Sequence, residues 1–201
     1  MRNTRIVAAA LAIGAAAALT GCDSGSSSPE ATASTAITEA AAPSGNAIDG
    51  DDMESTPTSN AQQRGDASTD AALSLDVVNF GHHENYDRVV FVLTGPGTPG
   101  YQVEYVEEAI QDGSGKHIDM AAKSIMQVRI TGVAYPFESG AAPYDGANPL
   151  LNASSGVVTE LYVGQPYEGA LDSFLAVDAE RPPFRVSVLS GPTRVVVDVA
   201  S

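Results

Sequence analysis

His82, His83 and His117 are the only three histidines among 201 residues, and they are where chemistry would be sought first. A zinc site needs three or four converging ligands. No His-x-x-x-His spacing occurs, and the single cysteine, Cys22, lies far away in the chain. No metal and no cofactor are therefore expected. General acid–base chemistry would need a histidine beside a carboxylate, and His83 near Asp87 is the place for it. The simpler reading of His83, Asp87 and Arg88 is a polar cluster that fixes the start of a strand. Ser154-Ser155-Gly156 lacks the Gly-x-Ser-x-Gly setting of an exposed nucleophile, and Ser190-Gly191-Pro192 reads as a turn. Glu107 and Glu108 are adjacent, which on a strand sends them to opposite faces rather than to one substrate. No catalytic residue is assigned, and the expectation is a protein that is not an enzyme.

Binding chemistry is better represented. The segment Tyr135–Asn152 carries Tyr135, Phe137 and Tyr144 among Gly, Pro, Ser and Asn, without strand alternation. Rings on a loop can stack on sugars or line a peptide groove; otherwise they fold back to cap the core. Arg129 and Arg185, each on the polar face of a strand, could receive a carboxylate from a stem peptide or a partner; the alternative is that they mark a sheet edge.

What must position these groups begins at the N-terminus. Arg2 and Arg5 precede an apolar run from Ile6 to Leu19 that closes in Leu19-Thr20-Gly21-Cys22. The run is too short for a membrane-spanning helix and has the form of a signal peptide, residues 1–21. Its end resembles the lipobox of bacterial lipoproteins. That resemblance implies a lipid anchor, a diacylglyceryl group and acyl chains such as palmitate, on Cys22 of the mature chain. Two or more chains hold durably where one is marginal, and no second apolar run long enough to span a bilayer follows.

Residues 22–71 are rich in Ser, Ala, Thr, Gly, Pro and acids, with few large apolar side chains. Such a composition cannot bury enough surface to offset the entropy of ordering, so a disordered acidic linker is expected. Its mean reach is roughly 40 Å by flexible-chain scaling. The net charge of −15 argues against nucleic-acid and anionic-headgroup partners, which need clustered Lys and Arg. With one cysteine, the folded part has no disulfide.

From Ala72 the pattern changes. Leu73, Leu75 and Val77 alternate with polar residues, as do Tyr101, Val103 and Tyr105, then Met126, Val128 and Ile130, and Phe184, Val186 and Val188. Val89–Leu93 is a wholly apolar run, and Val195, Val197 and Val199 close the chain. Leu161–Val163 and Ser173–Val177 add weaker candidates. Period-two alternation rich in β-branched and aromatic residues predicts strands. The class is all-β: a single antiparallel β-sandwich or small barrel of about seven or eight strands over residues 72–201. Ile118–Ile125 offers the one plausible helical turn.

Two strands echo each other: Tyr86-Asp87-Arg88-Val89-Val90-Phe91-Val92-Leu93 and Pro192-Thr193-Arg194-Val195-Val196-Val197-Asp198-Val199. Together with Gly81–Arg88, Pro99-Gly100-Tyr101, Tyr167-Glu168-Gly169 and Pro183-Phe184-Arg185-Val186, this order resembles the AMIN-like domain of actinobacterial envelope lipoproteins, over Leu73–Ala200. Asp198 interrupts the second copy. The related AMIN domains are non-catalytic β-modules associated with peptidoglycan, in amidases whose catalysis belongs to a separate domain. The resemblance implies a membrane-anchored lipoprotein on the extracytoplasmic face of the cell membrane, whose domain binds cell-wall polymer (peptidoglycan or an associated glycan). The alternatives are an assembly factor that binds an envelope protein and an enzyme acting on wall material or lipid. A monomer is expected, touching the membrane only through the lipid on Cys22.

Overall fold

In the computed structural model, residues 55–154 and 156–201 are described. The expected signal peptide, the lipidated Cys22 and the linker as far as residue 54 lie outside the described residues. The strands are β1 (Gln63–Gly65), β2 (Ser74–His82), β3 (Tyr86–Thr94), β4 (Gly100–Val106), β5 (Ala109–Ile110), β6 (His117–Ile118), β7 (Ser124–Thr131), β8 (Leu150–Leu151), β9 (Val158–Val163), β10 (Ala170–Val177), β11 (Phe184–Leu189) and β12 (Thr193–Ala200); one helical turn, α1 (Pro136–Ser139), precedes β8. All belong to one compact unit, Asn46–Ser201.

They form an antiparallel six-stranded sheet ordered β1-β4-β7-β10-β9-β8, a four-stranded sheet ordered β11-β12-β3-β2, and the small hairpin β5-β6. The eight strands expected from alternation are β2, β3, β4, β7, β9, β10, β11 and β12. The two large sheets share one core, with Val89, Phe91, Val195 and Val197 on one side and Val103, Met126, Val128, Leu161 and Leu175 on the other. The outcome is a sandwich, since each sheet keeps two edge strands and no barrel closes. Every second residue of β7 points into this core, as a pleated strand with one covered face requires. β10 is buried at every position, because its second face is covered as well.

Two expectations need correction. Ile118–Ile125 is not helical: Ile118 ends β6 and Ser124 begins β7. Its apolar residues are separated by Asp119, Lys123 and Ser124, and pairing of β7 with both β4 and β10 overrides any local helical tendency. The ordered domain also begins before Ala72. β1 pairs with β4, and the Gln63 side chain binds the backbone of the edge strand β11, donating to Phe184 O at 2.7 Å and accepting from Val186 N at 3.0 Å. Phe184 N donates to Ser59 O at 2.8 Å. This polar arm covers a sheet edge that would otherwise offer unpaired backbone groups. Few apolar residues are needed for that task, which is why composition reads the arm as linker. Among the described residues no helix is long and apolar enough to cross a membrane.

Candidate functional site

The outer face of the six-stranded sheet carries the most chemically distinctive constellation. In the β10–β7 ladder, Asp172 stands directly opposite Arg129, and opposite charges at such a position attract across the strands. Arg129 Nη1 donates to Asp172 Oδ2 at 2.8 Å and to Asp112 Oδ2 at 2.9 Å. Asp112 comes from the turn between β5 and β6, so this ion pair pins the hairpin over the sheet. One guanidinium thus serves two carboxylates. Burial, reinforced by the neighbouring Asp112 carboxylate, pushes Asp172 up to about 6 against the opposing pull of Arg129.

The other wall is the segment between β9 and β10. Gly164 N donates to Asp172 O at 2.8 Å, and a Cβ on Gly164 would collide with that carbonyl. Only glycine lets the segment start so close to Asp172. Further on, Glu168 and Gly169 both adopt positive φ, 47° and 78°, and Tyr167 and Ala170 exchange backbone hydrogen bonds of 2.8 and 3.0 Å. That is the two-residue turn whose twist suits a hairpin, and it fixes Tyr167 at the rim. Between hairpin and segment lies a small open cleft lined by Gln111, Asp112, Tyr162, Gln165, Tyr167, Asp172 and Phe174.

A neighbouring small cleft shares Gly164, Gln165 and Pro166 and is also lined by Pro136, Pro143 and Tyr144. Tyr144 therefore lies half-buried against the core, capping it while lining a cleft. Tyr135 and Phe137 form a stacked pair, with centroids 5.2 Å apart and planes 12° apart. Phe137 is 82 % exposed, while the Tyr135 hydroxyl accepts from Glu168 N at 3.1 Å. The loop that carries them is held at its far end by side-chain amides. Asn148 exchanges hydrogen bonds with the backbone of Val163 at 2.6 and 3.0 Å, and Asn152 donates to Val158 O at 2.7 Å.

The remaining expected site residues are engaged within the fold. Arg129 and Arg185 find their carboxylates inside the chain: Arg185 Nη2 donates to Asp198 Oδ2 at 2.7 Å. Arg88 grips the same Asp198 through Nε at 2.6 Å and Nη2 at 3.0 Å. His83, Asp87 and Arg88 do not form one cluster. His83 stacks on Tyr86 with centroids 4.4 Å apart, and Arg88 lies on the outer face of β3. Asp87, fully buried, meets His82 Nδ1 at 2.7 Å and accepts from Val158 N at 2.9 Å. Successive residues on a strand point oppositely, so Asp87 and Arg88 could not share a face. Asp87 ties the start of β9 to β3. His117 lies beside Glu108 on exposed ground. Among the described residues, no group of three or more His, Cys, Asp and Glu side chains converges as metal ligands would.

Asp112, Asp172, Tyr162 and Gln165 escaped the sequence reading. One signal was available: Asp172 is the one charged residue within the largely apolar Ala170–Val177, where an unpaired charge would be costly. Comparison with curated proteins and with solved structures gives no match. The family model described as the AMIN-like domain matches residues 73–201. This is the stretch that contains both faces of the sandwich core and the two clefts beside Gly164–Pro166, and the chain belongs to the AMIN-like domain family.

Proposed function

We propose that this protein is an extracytoplasmic lipoprotein, anchored through Cys22, whose AMIN-like domain binds cell-wall glycan without catalysis. The family membership carries the reading, because the related AMIN domains are associated with peptidoglycan. The clefts support it: they combine aromatic faces with a few carboxylates and amides, the mixture that binds polyhydroxylated ligands of neutral charge. The −15 charge of the chain fits a protein that need not adhere to anionic membrane lipid through its side chains. The exposed Tyr135–Phe137 stack favours, as a second reading, an envelope protein as partner.

The test is retention of residues 46–201 on insoluble cell-wall sacculi before and after muramidase digestion. Retention that vanishes on digestion is the expected result. Absence of retention at low salt would remove the wall-glycan reading and leave the protein partner. For the anchor, Cys22→Ser should move the full-length protein from the membrane fraction to the soluble extracytoplasmic fraction.

A further inference from the structure

Asp172 is 5 % exposed, and only one of its carboxylate oxygens is used by the fold. Oδ2 accepts from Arg129 at 2.8 Å, whereas Oδ1 is buried without a hydrogen bond of normal geometry, the Gln127 amide only approaching the carboxyl from the same face of β7. A buried acceptor left unmade is costly; Ser173 Oγ and Ser187 Oγ share that state, and of the three residues Asp172 is the one in the lining of this cleft. Asp172 lines the cleft between the β5–β6 turn and the Gly164–Tyr167 segment.

Resting on the wall-glycan reading, we infer that this cleft is a subsite for one neutral sugar residue, whose hydroxyl or acetamido N–H donates to Asp172 Oδ1. Charge selects the ligand class. An anion would face Asp112 and Asp172 together. A cation would meet the Arg129 guanidinium that already bridges them. A neutral donor avoids both penalties, because it satisfies a carboxylate without adding charge. Shape agrees: the rings of Tyr162 and Tyr167 provide apolar surface for the C–H face of a pyranose, and the amides of Gln111 and Gln165 can both donate to and accept from ring hydroxyls. Neighbouring units of a polymer would continue past Gly164–Pro166 into the adjoining cleft.

The experiment measures sacculus binding by residues 46–201 as parent, Gln165→Ala, Tyr167→Ala and Asp172→Asn, with thermal melting of each. Gln165 is exposed and Tyr167 is 40 % exposed, so those two variants should keep the parent's melting temperature. Each of the three should weaken binding by about tenfold, the loss expected for one well-made contact. The β-1,4-linked N-acetylglucosamine tetramer should displace the parent, and its de-acetylated, cationic counterpart should not. Parental affinity in both Gln165→Ala and Tyr167→Ala would overturn the subsite while leaving wall binding intact. Stronger displacement by the cationic oligomer would overturn the assignment of a neutral donor. A parent that does not bind sacculi would instead remove the reading on which the subsite rests.

Discussion

The outer faces of the two large sheets carry the same chemistry in opposite proportion. On the four-stranded sheet, Asp198 stands between Arg88 and Arg185 in direct cross-strand register, so two cations share one carboxylate. Three contacts of 2.6 to 3.0 Å use both of its oxygens. On the six-stranded sheet two carboxylates share Arg129, and one oxygen of Asp172 is left over. The first arrangement satisfies its buried carboxylate and reads as architecture. The second is incomplete, sits in a cleft and has aromatic walls. Residue type alone does not separate a structural ion pair from a recognition site; the ratio of donors to acceptors within reach does.

The largest effect should come from breaking the satisfied side. Asp198 is 1 % exposed, and Asp198→Ala would strand two half-buried guanidinium groups. A loss of about 3 kcal/mol is expected, since removing one partner of a buried pair leaves an uncompensated charge. Urea unfolding monitored by circular dichroism would measure it, and a change below about 1 kcal/mol, the scale of an exposed pair, would refute the contrast drawn here.

A smaller and pH-dependent effect should mark the incomplete side. Because Asp172 binds its proton more tightly in the folded protein, with a pKa near 6 against an ordinary value of 3.8, folding takes up a proton between those values. Its contribution to stability is therefore fullest below about pH 4, falls as pH rises to about 6, and stays level above that. Asp172→Asn cannot titrate, so the stability difference between parent and variant should drift in that window and be flat elsewhere. Melting temperatures of both proteins across pH 4 to 8 would show this; parallel curves would place the Asp172 carboxyl in an ordinary environment. The smallest effect is expected at Phe137, whose ring is 82 % exposed. Phe137→Ala should change stability by less than about 0.5 kcal/mol. If it abolishes retention on sacculi, the binding surface centres on the loop rather than on the cleft.

Much of this fold was legible beforehand. Alternation such as Met126, Val128, Ile130 needs only one covered face to declare a strand, as in β2, β4, β7, β11 and β12; β3 showed as a wholly apolar run, and β9 and β10 gave weaker signals. Two-residue strands have no period to detect, so β5, β6 and β8 had no signature, and β1 is recognisable only through its partner β4. For the site, the aromatic loop was visible as composition, and Tyr144 does reach a cleft. Arg129 was visible as a charge on a polar face. Asp172 and Asp112 are 60 residues apart in sequence, and nothing local to either predicts that they meet over Arg129.

The sequence by itself determined the β class and the family, because periodicity and ordered motifs are local properties of a string. Tertiary structure alone decided which arginine meets which carboxylate, where the domain begins, and that Asp172 Oδ1 goes unanswered beside a cleft. Those outcomes depend on strand register and on the path of the β5–β6 hairpin. A shift of one residue in the register of β10 would send Asp172 to the other face, and a different hairpin path would take Asp112 away from Arg129.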